Sequence, residues 1–67
     1  MQITVNGEKM ELDAGLSIAG LLAQLDIPSA KVAVERNLEI VPKSSYESTV
    51  LQDNDRIEIV HFIGGGR

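Results

Sequence analysis

The chain has 67 residues, no cysteine, and a net charge of −4 from ten acidic and six basic residues. A chain this short buries only about 60% of its unfolded surface, so it forms one small domain without room for a deep active site, and the missing thiols exclude a disulfide framework, a thiolate zinc site and a cysteine nucleophile. Lys9, Lys31, Arg36, Lys43 and Arg56 are scattered singly and there is one Tyr and one Phe, which excludes the basic patch and stacking platform of a nucleic-acid binder.

Gln2 to Val5 alternates polar and apolar residues and reads as a strand. Asn6-Gly7 supplies the positive φ that a type I′ turn requires at both central positions. Glu8 to Leu12 alternates again, giving a hairpin with Ile3, Val5, Met10 and Leu12 on one buried face. Asp13-Ala14-Gly15 breaks the pattern. Ser17 is the expected N-cap of a short helix whose apolar stripe is Ile18, Leu21, Leu22 and Leu25. Gly20 weakens that helix by roughly 1 kcal/mol relative to Ala unless close packing needs it. Asp26-Ile27-Pro28 ends it, because the residue before proline avoids helical geometry.

Lys31 to Glu35 is the next predicted strand, with Val32 and Val34 inward, followed by a turn at Arg36-Asn37 and a strand from Leu38 to Val41, closed by Pro42. Lys43 to Thr49 is a polar, irregular segment anchored by Tyr46. Asp53-Asn54-Asp55 is a turn into the last strand, the apolar run Ile57 to Ile63. A strand hairpin, a helix and a return to strands imply an α+β domain over residues 1–63, a sheet with the helix on one face. In the last strand Ile57, Ile59, His61 and Ile63 alternate to one face, and Arg56, Glu58, Val60 and Phe62 to the other. With Ile57 and Ile59 in the core, Val60 and Phe62 project from the open face and form an expected docking patch. A satellite cluster under a loop, or a bulge that buries Phe62, are the competing readings.

Residues 64–67, Gly64-Gly65-Gly66-Arg67, form an expected flexible tail. Three glycines are the most expensive residues to order, so they do not serve stability. They give a peptide without side chains, thin enough for a narrow channel; a frayed end or a linker has the same composition. Elsewhere the chemistry is sparse. Asp53 and Asp55 shape a turn more readily than they hold a metal. Nothing places Ser44 or Ser45 with His61 as a triad. No Lys-Ser/Thr or helix follows the glycines, so they are not a phosphate loop. That leaves the C-terminal carboxylate, ionised at neutral pH with a reference pKa of about 3.3–3.7. Chemistry there needs activation to a mixed anhydride such as an acyl-adenylate, by an external enzyme that brings ATP and metal. The four-residue tail reaches at most about 14 Å, so that enzyme must dock against the last strand.

Along its whole length the chain resembles the ThiS family, the small ubiquitin-like β-grasp sulfur carriers of thiamin biosynthesis. The resemblance lies in the Asn6-Gly7 hairpin and the Leu-rich helix. It is more specific in Val34-Glu35-Arg36-Asn37-Leu38-Glu39-Ile40-Val41-Pro42-Lys43 followed by Tyr46, and in Asp53-Asn54-Asp55-Arg56-Ile57-Glu58-Ile59-Val60 before His61-Phe62-Ile63-Gly64-Gly65-Gly66. It implies a mixed sheet of four to five strands with one main helix on one face. It also implies a protein co-substrate rather than an enzyme, binding no cofactor itself and monomeric when free. A ThiF-like adenylyltransferase would use ATP and Mg to adenylate the terminal glycine. Sulfur from a cysteine desulfurase would make the thiocarboxylate, and thiazole synthase (ThiG) would take the sulfur. By position Gly65-Gly66 is the family's terminal pair and Gly66 the modified residue.

The family ends on glycine and this chain on Arg67, so removal of Arg67 to expose Gly66 is expected. The alternatives are another β-grasp sulfur carrier such as the molybdopterin synthase small subunit, a protein modifier, or a non-covalent ubiquitin-like interaction module. No apolar stretch approaches the ~20 residues of a membrane span, and no basic-then-apolar segment opens the chain. A cytoplasmic location without membrane contact is expected, which the absence of cysteine also fits.

Overall fold

The structure, a computed structural model, describes residues 1–62. Strand β1 (Gln2–Val5) and strand β2 (Glu8–Glu11) form the expected hairpin, Ile3 opposite Met10. Asn6 and Gly7 have φ of +50° and +85°, as a type I′ turn demands. Helix α1 (Ile18–Gln24) follows, then strands β3 (Val32–Arg36), β4 (Glu39–Val41) and β5 (Arg56–His61). Single 3-10 turns at Ser29–Lys31 and Lys43–Ser45 complete the chain.

The five strands make one sheet in the order β2-β1-β5-β3-β4. β1 runs parallel to β5 and the other neighbours are antiparallel, so the sheet is mixed and β5 is its central strand. Ile3, Val5, Val32, Val34, Ile57 and Ile59 point from the sheet into one core with Ile18, Leu21 and Leu22 of α1. Leu12, Tyr46 and Leu51 close its edges.

Both ends of α1 are held by identifiable groups. The Ser17 hydroxyl accepts the Gly20 N–H at 3.0 Å, the predicted cap. The Ile18 and Ala19 N–H groups donate to Thr49 O and Tyr46 O at 3.0 and 2.9 Å. The segment anchored by Tyr46 therefore satisfies amides that have no partner inside the helix. At the far end Ile27 N–H donates to Leu22 O and Asp26 N–H to Ala23 O, with Asp26 at φ +60°. This is a Schellman closure with aspartate where glycine is usual. The helix ends at the predicted Asp26-Ile27-Pro28 segment, through the positive φ of Asp26 rather than through the restriction that proline places on Ile27. Gly20 has a packing reason: a Cβ there would sit 2.7 Å from Leu16 Cδ1.

The turn between β3 and β4 differs from expectation. It lies at Asn37-Leu38, with φ of +52° and +72°, and not at Arg36-Asn37. Arg36 belongs to β3 opposite Glu39, and Leu38 leaves the strand. The cause is tertiary, as the contacts of Arg36 and Asn37 show next.

Candidate docking face and tail

β5 separates two environments along one strand. Residues directly opposite one another in a sheet share a face, so Val60 lies with Ala33, and Glu58 with Glu35 and Ile40. This is the face away from α1. Val60 is 57% exposed and Phe62 51% exposed, and Ile40 is exposed as well. The alternation of the last strand thus reads correctly, and neither a bulge nor a covering loop buries Phe62. The apolar surface runs from Ile40 to Val60 and Phe62, with Glu35 and Glu58 among them.

Lys43 completes this end of the face. Its ammonium lies 4.9 Å from the centroid of the Phe62 ring. It also donates to Val32 O at 3.1 Å and Ala30 O at 3.4 Å. A cation over an aromatic face is worth about 0.5–1 kcal/mol at an exposed site, enough to bias the ring without burying it. Sequence reasoning passed over Lys43 and Ile40. Ile40 carried a signal in the alternation of its strand; Lys43 carried none, because its position follows from the turn after Pro42.

At the other end of β5 the surface is polar and tied. Asp55, only 5% exposed, accepts from Arg36 Nε at 2.8 Å, Asn37 Nδ2 at 3.0 Å and Gln52 N–H at 2.8 Å. Burial alone would raise its pKa. The Gln52, Arg36 and Asn37 hydrogen bonds and the Arg36 charge outweigh it and hold the carboxyl below its ordinary value. Asn37 Oδ1 also accepts the Arg56 N–H at 2.9 Å. These contacts keep Arg36 in β3 and push the turn onward to Leu38.

Asp53 Oδ1 accepts the Gln2 N–H at 2.7 Å, so both acids of the Asp53-Asn54-Asp55 turn have structural work. No group of acids or His residues that would hold a metal occurs among the described residues. An open depression lined by Thr4, Asn37, Leu38, Asn54 and Arg56 lies at this tied end, at the opposite end of β5 from His61. No hydrogen bond joins Ser44 or Ser45 to His61 among the described residues. Ile63, Gly64, Gly65, Gly66 and Arg67, which include the expected tail and modified residue, lie outside the described residues. No helix among the described residues is long and apolar enough to cross a membrane.

A mixed five-stranded sheet with one helix on one face and the C-terminal strand at its centre defines a ubiquitin-like β-grasp domain. The chain belongs to the ThiS family, whose model matches residues 3–66. The sulfur carrier protein ThiS of Bacillus subtilis is 44% identical over 98% of both chains. A thiazole synthase of Paramagnetospirillum magneticum is 53% identical over 98% of this chain and 20% of its own length. The chain thus spans about a fifth of the first curated relatives it matches. Among solved structures, the thiamine biosynthesis protein ThiS from Geobacter metallireducens superposes with a TM-score of 0.85. It is 33% identical, with 98% of this chain and 100% of that one covered.

Proposed function

We propose that this chain carries sulfur for the thiazole of thiamin on the carboxylate of Gly66. The observation that supports this most directly is the family match, which runs to Gly66. The sulfur carriers named among its relatives align along nearly their whole length. Relatives named thiazole synthase contain a segment like this chain, which supports thiazole synthase as the sulfur acceptor.

The chemistry follows from the carboxylate. An ionised carboxylate does not react with nucleophiles, so an adenylyltransferase uses ATP and Mg to join Gly66 to AMP, releasing pyrophosphate. The terminal sulfur of a persulfide, derived from a cysteine desulfurase, attacks the acyl carbon and AMP leaves with the C–O bond, giving an acyl disulfide. A thiol reductant then cleaves the S–S bond, is itself oxidised to a disulfide, and the thiocarboxylate remains. The chain contributes recognition: Val60 and Phe62, with Lys43 fixing the ring, dock the enzyme on the open face. Phe62 stands four residues before Gly66, a span of at most about 14 Å in an extended chain. Acidic Glu35 and Glu58 favour a partner whose rim is basic.

Arg67 must leave before Gly66 can react. The test is intact-mass spectrometry of two chains, one ending at Gly66 and one at Arg67, each incubated with the adenylyltransferase, ATP and a sulfur donor. The expected result is exchange of one terminal oxygen for sulfur in the shorter chain only. Activation of the longer chain at Arg67, or of neither, overturns the proposal.

A further inference from the structure

Main-chain groups along β5 alternate between its two neighbours. Asn37 N–H donates to Arg56 O at 2.8 Å and Phe62 N–H to Lys31 O at 2.9 Å, so the even positions face β3. The odd positions face β1: Asp55 O accepts Thr4 N–H at 2.9 Å and Ile57 O accepts Asn6 N–H at 2.8 Å. β1 ends at Val5, where the hairpin turns away. Ile59 therefore has no strand partner on that side, and the Asn6 side chain substitutes for one. Its Oδ1 accepts Ile59 N–H at 2.7 Å and its Nδ2 donates to Ile59 O at 3.2 Å. By the same alternation His61 sends its N–H and C=O into the lane that β1 has left. Among the described residues nothing takes either group.

We infer that this lane, opening at His61 beyond the Asn6 stopper, receives an extended segment of the activating enzyme, which adds as a strand beside β5. The occupant follows from what the chain offers after Phe62. Gly64-Gly65-Gly66 has no side chains, so main-chain hydrogen bonds are the direct means of holding it in register. A strand in the β1 lane begins that ladder on the folded domain, at His61. Outer edges of the sheet lack this continuity, because only β5 leads into the glycines. This inference rests on the carrier reading for the identity of its occupant.

His61→Pro tests it. Proline removes the N–H and fills the lane, yet spares the pairing with β3, to which His61 does not bond. His61→Ala removes the side chain and keeps the amide. Binding of both variants and of the unaltered chain to the adenylyltransferase is measured by calorimetry. Amide exchange at His61 is followed in the unaltered chain, free and bound. The lane predicts that His61→Ala binds like the unaltered chain, that His61→Pro binds at least about tenfold more weakly, and that His61 exchange slows in the complex. Undiminished binding by His61→Pro with unchanged exchange overturns the lane and leaves the carrier reading standing. Slowing that depends on the concentration of the free chain alone overturns it in favour of a second copy. No binding by an otherwise unaltered chain ending at Gly66 overturns both.

Discussion

At the Arg56 end of β5 the loops around the strand are tied by side-chain hydrogen bonds. Asp55 gathers Arg36, Asn37 and Gln52, Asn37 holds Arg56, and Asp53 holds Gln2. At the Phe62 end the strand has one main-chain tie to Lys31 and one ammonium over an exposed ring. Its His61 amide faces a lane that no described residue enters. The same strand thus fixes the fold at one end and presents surface at the other. With the proposed docking at Val60 and Phe62, stability and recognition separate along some six residues, and substitutions at the two ends should fail in different assays.

The largest effect is expected at the presenting end. Val60→Asp with Phe62→Asp places two charges in the docking patch and should weaken binding to the adenylyltransferase by about 100-fold or more. Both side chains are exposed, so folding stability should move by no more than about 2 kcal/mol, the cation–π contact of Phe62 and the strand preference of Val60 included. Calorimetric binding beside urea unfolding checks the pair. A large loss of stability would show that the patch belongs to the core after all.

Asp55→Ala should do the converse. It strips a nearly buried carboxylate from Arg36 and leaves three donors unpaired, a change that costs about 3 kcal/mol. In a domain of this size that lowers Tm by at least about 12 °C. Below its own transition the variant should still be thiocarboxylated at the normal rate. A slowed reaction in folded protein would join the two ends that the structure separates.

What the residues disclosed in advance follows the same division. The hairpin, the Ser17 cap, the inward Val32 and Val34, and the outward Val60 and Phe62 were legible because each rests on period or on a neighbour within a few positions. The Arg36–Asp55 pair joins residues 19 apart and the Asn6–Ile59 pair residues 53 apart, and no local pattern announces either. The misplaced turn is the consequence. Arg36-Asn37 looked like turn residues because they are polar, whereas Leu38 looked like strand because it is apolar. The pull of Asp55 on Arg36 and Asn37 reverses that preference. The tail lies outside the described residues, and its reading as chemistry rests on its composition and on the family match that runs to Gly66.

The acid limb of the stability curve sharpens the role of Asp55. Its folded pKa is lowered, so its contribution is fully present above the unfolded carboxylate value of about 3.9. It is lost as pH falls through the lower folded value. Asp55→Asn should be less stable than the unaltered chain at neutral pH. The gap should narrow below about pH 4, as the unaltered chain protonates and the variant does not. Urea midpoints over that range read it directly; a gap that stays constant would assign the loss to geometry rather than charge.

The smallest effect concerns Leu38, which is 77% exposed at φ +72°. A left-handed conformation strains a residue with a Cβ by about 1–2 kcal/mol, and this side chain recovers little by burial. Glycine at the second position is the favoured chemistry of a type I′ turn, though its freedom in the unfolded chain takes back part of the gain. Leu38→Gly should therefore stabilise the domain by about 0.5–1 kcal/mol, a rise of a few degrees in Tm. Binding at the Phe62 end should not change, because the turn lies at the opposite end of β5. A weaker complex would mean that the partner reaches across the sheet to Leu38, and the division of β5 into a fixed end and a presenting end would have to be redrawn around it.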